Sequence, residues 1–210
     1  RGRKRVQFET TQPLPSYLLA FGVGPFDVLD GGKVGSTPIR FVTPRGRAQE
    51  ARYAASQTPA IVEKLEAYFV MPYPYGKLDL MALPITLGFG AMENPGLVTF
   101  ASGLLLAKPA EETARFKRDF VETQAHELAH QWFGNYVTMA WWDDLWLNES
   151  FASWMGDKIT EQVAPQWHFE TGVQEARATA MQTDRLQSTR RIHQPVQDSQ
   201  SLGSAFDGIT

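Results

Sequence analysis

The sequence predicts an α+β protein in which strands come first and helices follow. Three observations predict it. Residues 6–42 mix β-forming runs with turn residues, apolar positions recur at helical spacing from about residue 58, and the second half carries H-E-x-x-H inside an unbroken helical stretch.

Taken in order, residues 6–10 begin to alternate directly after the basic run at residues 1–5, which reads as a solvated strand end. Residues 16–23 are β-rich, Asp30-Gly31-Gly32 reads as a turn, and residues 38–42 as a further strand. The break at residues 43–47 places a boundary near residue 44, with residues 1–44 on one side and 45–210 on the other. Thr58-Pro59 reads as an N-cap followed by proline at the first helical position, and Ile61, Val62, Leu65, Tyr68 and Phe69 form one apolar face. Residues 71–76 end that helix, and residues 78–83 form a short strand. A glycine-rich turn over residues 88–96 leads into a strand at 97–100. Glycines on both sides of an acid let the backbone approach a ligand while presenting one carboxylate, that of Glu93.

Residues 110–133 read as a long helix opened by Glu111 and Glu112 and closed by Gly134. Asp143-Asp144 opens the next helix, which carries Glu149 on its second turn and continues through Phe151, Trp154 and Ile159. A third helix follows Pro165, and residues 184–205 read as irregular.

The chemistry is concentrated in the second half. His126 and His130, at i and i+4 on one helix, lie almost one above the other, so both imidazoles can converge on a single cation. Glu127, next to the first histidine, can reach water at the cation without occupying it, which makes it the candidate general base. Glu149, on the following helix, is placed to supply a third protein ligand, leaving a fourth position open. Tryptophan density between Trp132 and Trp154 reads as packing around two helices that hold a metal in register, rather than as a sugar-stacking platform. His168 and His193 have no partner at ligand spacing and read as surface or capping histidines.

Hydrophobic content of 43% and charged content of 20% fit a folded globular chain, and a formal net charge of −3 gives no overall basic field for nucleic acid. No apolar run reaches the ~20 residues of a membrane-spanning helix. The absence of cysteine excludes disulfides and thiolate metal sites and leaves the compartment open. The chain starts at Arg1 rather than methionine, and both ends read as cuts.

H-E-L-A-H-Q-W-F-G-N from His126, L-N-E-S-F-A around Glu149 and, upstream, G-A-M-E-N at residues 90–94 resemble the gluzincin zinc aminopeptidases of the aminopeptidase N and leukotriene A4 hydrolase type. The Y-P-Y-G-K-L-D-L stretch before the glycine turn extends the resemblance over most of the chain. It implies one zinc ion bound by His126, His130 and Glu149, with Glu127 activating water. It also implies a substrate-binding segment Gly90, Ala91, Met92, Glu93 and Asn94, in which Glu93 holds the free α-amino group of a peptide and Gly90 and Ala91 lie along its backbone. Residues 1–44 would be the C-terminal end of an N-terminal β-domain, and residues 45–210 the front part of a thermolysin-like catalytic domain, with a tyrosine that donates to the oxyanion directly after Thr210. Two positions depart from the pattern: Pro95 stands where many members have tryptophan, and Gly156 where many have a glutamate seven residues after the zinc-binding one.

The reaction so implied is hydrolysis of the first peptide bond of substrates with a free N-terminus, with side-chain preference set partly near Phe89. Two alternatives stay open. One is a related zinc hydrolase, an endopeptidase or epoxide hydrolase on the same site. The other is a non-catalytic, zinc-stabilised binding module, against which Glu127 stands, because a closed structural site has no use for that carboxylate.

Overall fold

Alternate residues of Thr37–Pro44 are buried, the pattern of a strand with one face on a core, whereas Leu78–Leu83 is buried on both faces. These two strands lie side by side in a computed structural model that describes residues 4–85, 90–207 and 210. One five-stranded sheet has the order β1 (Phe26–Val34), β2 (Thr37–Pro44), β3 (Leu78–Leu83), β5 (Leu97–Ala101), β4 (Ala91–Met92). The β2–β3 and β3–β5 pairs are parallel, and the β1–β2 and β4–β5 pairs are antiparallel. The helices are α1 (Arg52–Phe69), α2 (Ser102–Leu105), α3 (Ala114–Ala129), α4 (Leu145–Val163), α5 (Phe169–Asp184) and α6 (Ser199–Gly203). The architecture is α+β, with one core that joins Phe41, Leu80 and Phe100 of the sheet to Leu65 of α1, Phe120 of α3 and Met155 of α4.

Several sequence expectations are corrected. Residues 6–10 and 16–23 are not strands: the second run forms a 3-10 turn, Ser16–Leu18, that buries Leu18, while Leu19, Phe21 and Val23 stay exposed. β-forming residues make a strand only where an edge lies beside them, and none pairs with these among the described residues. Asp30-Gly31-Gly32 is a bulge within β1, with a register shift between Asp30 and Lys33, Gly32 at φ +81°, and Asp30 Oδ1 accepting from the Gly32 N–H at 2.8 Å. The chain reverses instead at Gly35-Ser36, a two-residue hairpin turn with Gly35 at positive φ.

Helix α1 starts at Arg52, before the expected cap, because small residues at Ala51 and Ala54 already pack on the core. Thr58 is therefore an interior residue. Its hydroxyl donates to the Ala54 carbonyl at 2.7 Å and accepts from Gln124 Nε2 at 2.7 Å, tying α1 to α3. Glu111 and Glu112 precede α3 rather than open it. Thr113 is its cap, accepting from the Phe116 N–H at 3.1 Å, and Glu112 pairs with Lys117 at 3.2 Å. Residues 184–205 contain one short helix, α6, capped by Asp198. The pattern break near residue 44 is where β2 gives way to the turn before α1, and strands on both sides of it share the sheet. The Gly88 and Phe89 part of the glycine turn, the first three residues of the basic run, and Gly208 and Ile209 lie outside the described residues. No helix among the described residues is long and apolar enough to cross a membrane.

Candidate metal centre and its cavity

Helix α3 delivers His126 in its last turn and His130 at its C-cap, and the chain then leaves through Gly134 at φ +129°. A Cβ at Gly134 would stand 2.9 Å from His130 Nδ1, so glycine there both permits the exit and leaves room for the imidazole. Phe133 stacks on Phe151 of α4 with ring centroids 4.1 Å apart, and the buried Trp132 stacks on Phe69 of α1 at 5.4 Å. These contacts fix α4 against the end of α3, which brings Glu149 to the histidines.

The resulting triangle is tight. His126 Nε2 lies 3.1 Å from His130 Nε2, and Glu149 Oε2 lies 3.5 Å from the first and 3.8 Å from the second. Ligand atoms about 2.1 Å from a tetrahedral cation stand roughly 3.4 Å from one another, so these three atoms fit the protein side of such a site. His126, His130 and Glu149 are the one grouping of this kind among the described residues. His168 pairs with Glu170 and His193 with Asp144, both at the surface, and neither reaches the triangle.

The triangle opens on a cavity of about 550 Å³, whose wall includes Glu127, Gly90, Ala91, Met92 and Glu93. The acids in it are far from their ordinary behaviour. Burial pushes Glu127 up to about 8, with the charges of Glu93 and Glu149 adding to the effect against His126. Burial also pushes Glu93 up to about 7, with Glu149 contributing. Burial works against a charged His126, yet Glu149, Glu127 and Glu93 hold it above its usual value, while burial and the neighbouring His126 drive His130 down to about 3. A site with three carboxylates, two imidazoles and so little solvent suits a divalent cation, whose charge offsets the crowding of acids.

The Peptidase family M1 domain matches residues 53–210. The chain belongs to this family. Across nearly its whole length it is 36% identical to Aminopeptidase M1-B of Oryza sativa subsp. japonica over 207 residues, 99% of this chain and 24% of that protein. It is 38% identical to Leucyl aminopeptidase of Saccharolobus solfataricus over 211 residues, 100% of this chain and 26% of that protein. It is 36% identical to Aminopeptidase 2 of Candida albicans over 209 residues, 99% of this chain and 22% of that protein. The chain spans about a quarter of the length of the curated relatives it matches.

In this M1 chain the sheet brings residues 90–93 to the His126, His130 and Glu149 triangle. β4 is an edge strand, paired through Ala91 to Phe100 and Met92 to Thr99, and Glu93 follows it directly. Asn94 does not face the cavity; its Nδ2 donates to the Leu18 carbonyl at 3.1 Å, and its Oδ1 accepts from Thr99 at 3.2 Å. Pro95 lies in a turn completed by Gly96 at φ +69° and by the Leu97 N–H donating to the Asn94 carbonyl at 3.0 Å, so the glutamate's carboxylate is retained beside it. At Gly156, α4 comes so close to α3 that a Cβ would stand 3.2 Å from the His126 backbone nitrogen. Beside His126, Ser153 Oγ lies 3.4 Å from Nδ1.

Sequence reasoning missed Tyr17. Its hydroxyl accepts from Asn148 Nδ2 at 3.1 Å, its ring packs on Trp142 at 4.8 Å, and both rings line the cavity. Burial raises its pKa, and the nearby Glu93 raises it further. No local signal could have found it, since the contact joins residues 131 positions apart. Trp142 therefore belongs to the cavity wall, while Trp132 is packing as its neighbours in sequence suggested.

Proposed function

We propose that this chain carries the active site of a zinc aminopeptidase, which hydrolyses the first peptide bond of peptides with a free N-terminus. The observation that carries the reading is Glu93: a buried carboxylate in the wall of the same cavity as the His126, His130 and Glu149 triangle. The names of the M1 relatives support it, as each is called an aminopeptidase.

His126, His130 and Glu149 would hold one zinc ion. Zinc at such a site supplies a Lewis acid and lowers the pKa of water towards ~7. With the cation's charge offsetting the crowding of acids, Glu127 in the cavity wall beside His126 is poised to accept a proton from the attacking water and return it to the leaving amine. Glu93 pairs with the substrate's α-ammonium, and only a chain terminus offers that charge at that place, so the pairing selects exopeptidase over endopeptidase action. Gly90 and Ala91, in the cavity wall beside the edge strand β4, would lie along the substrate main chain. We also read residues 1–44 as the end of an N-terminal β-domain that lends its last two strands to the sheet of a thermolysin-like catalytic domain formed by residues 45–210.

The test is made on protein produced from its complete reading frame. It should contain one zinc per chain and cleave L-leucyl-4-nitroanilide while leaving the N-acetylated form intact. Comparable turnover of both substrates would establish an endopeptidase-type site instead. Zinc without turnover of either would establish a binding module.

A further inference from the structure

A carboxylate that reads an amino terminus is useful only if its own backbone cannot drift. Glu93 sits at the end of a strand of two residues, followed at once by a turn, which by itself is weak support. The support comes from the metal helix. The Glu93 carbonyl accepts two hydrogen bonds from fully buried amides, Gln131 Nε2 at 2.7 Å and Asn135 Nδ2 at 2.7 Å. Gln131 directly follows His130, and the Asn135 N–H donates to the His130 carbonyl at 2.9 Å. The free face of Gln131 is also occupied. Its Oε1 accepts from the Tyr73 hydroxyl at 3.0 Å, and that hydroxyl lies beside the Gly96 backbone at the far end of the same turn. Gln131 thus holds the turn directly at Glu93, Tyr73 braces Gln131 from beside Gly96, and Asn94 in the middle of the turn is fastened to Leu18.

We infer that Gln131 and Asn135, braced by Tyr73, are positioning residues that fix the Glu93 carboxylate at a set distance from the metal ligand His130. None of the three lines the cavity, so none touches substrate. Buried hydrogen bonds between fixed elements favour one geometry, and here that geometry links the amine anchor to the end of the metal helix. A hydroxyl or amide in these places serves no packing purpose that an apolar side chain of similar size could not serve, because both ends of every bond are buried. The inference rests on the proposed role of Glu93.

The experiment uses zinc-loaded protein from the complete reading frame and two probes, L-leucine hydroxamate and N-acetyl-L-leucine hydroxamate, whose dissociation constants are measured by titration calorimetry. Both carry the same metal-binding group and side chain; only the first offers an ammonium. Gln131→Glu and Asn135→Asp keep volume and replace the donor with an oxygen. Misplacement of a reacting or anchoring group by about 1 Å costs on the order of 100-fold, so the preference for the free amine should fall by roughly 10- to 100-fold in each. Binding of the acetylated probe and zinc content should stay near the unsubstituted values. Tyr73→Phe, the mildest change, removes one brace and should reduce the preference by about threefold to tenfold. Parallel weakening of both probes, or an unchanged preference in Tyr73→Phe and in whichever isosteric variants fold, would overturn the inference. Failure of the unsubstituted protein to prefer the free amine would instead overturn the role given to Glu93, and the positioning role with it.

Discussion

Gly156→Ala tests how the metal triangle is held. The added methyl would stand 3.2 Å from the His126 nitrogen, 3.3 Å from its Cα and 3.5 Å from its Cβ, all atoms of a packed helix that cannot swing aside. In an isolated helix the change would stabilise by about 0.5–1 kcal/mol, because glycine is the more costly residue in a helix interior. Overpacking a close contact costs about 1–3 kcal/mol, so the steric term wins and a net loss of up to about 2 kcal/mol follows. For a domain of this size each 1 kcal/mol lowers Tm by about 2–4 °C. The larger effect falls on the metal. Glu149 lies two turns earlier on the same helix, so relieving the contact moves its carboxylate away from His126, now 3.5 Å distant. A disturbed support for metal ligands typically weakens binding about 10- to 100-fold. Competition for zinc against a chromophoric chelator, with melts of the zinc-free protein, measures both. A stabilised protein with unchanged zinc affinity would show that the approach of α4 to α3 does not depend on Gly156.

Glu127→Gln should retain zinc and lose about 100- to 10,000-fold in turnover, since it removes the proton acceptor and spares the ligands; loss of zinc would place Glu127 among the ligands. His130→Ala should abolish stoichiometric zinc, read by metal analysis after dialysis, because the triangle loses its most buried corner. In chelator-treated protein, stability should fall as pH rises from about 6.5 to 8, above the range in which the depressed His130 acts in the opposite sense. Over that window the native state keeps protons on Glu93 and Glu127, raised to about 7 and about 8, that the unfolded chain has already released. Zinc should suppress the fall, and a zinc-free melt that is flat over the window would refute the assigned burial. Asp79→Asn should lower Tm through a loss of about 1–3 kcal/mol, because the Asp79 carboxylate accepts from Arg40 at 2.7 and 2.8 Å and from Lys77 at 2.7 Å; an unchanged Tm would mark the pairs as idle.

The sequence by itself determined that His126, His130 and Glu149 can meet, because its information is local. The i, i+4 spacing of His126 and His130 places both rings on one face of any helix they occupy, and Glu149 needs only a second helix returning alongside. It also determined β2, β3 and β5, whose buried faces are written in their apolar residues. What it misjudged were places where propensity was read without a partner. Residues 16–23 are β-forming but meet no edge, and Thr58-Pro59 has the chemistry of a helix start but lies inside a helix begun by the small core residues Ala51 and Ala54.

Only the tertiary structure decided how the cavity is completed. Tyr17 reaches Asn148, Tyr73 reaches Gln131, and Gln131 and Asn135 reach the Glu93 carbonyl, all through contacts between residues 38 or more positions apart. Such contacts depend on how the sheet edge, the end of α3 and the N-terminal 3-10 turn meet in space. Side-chain periodicity within each element says which face is buried, but not which atom of another element it will find there.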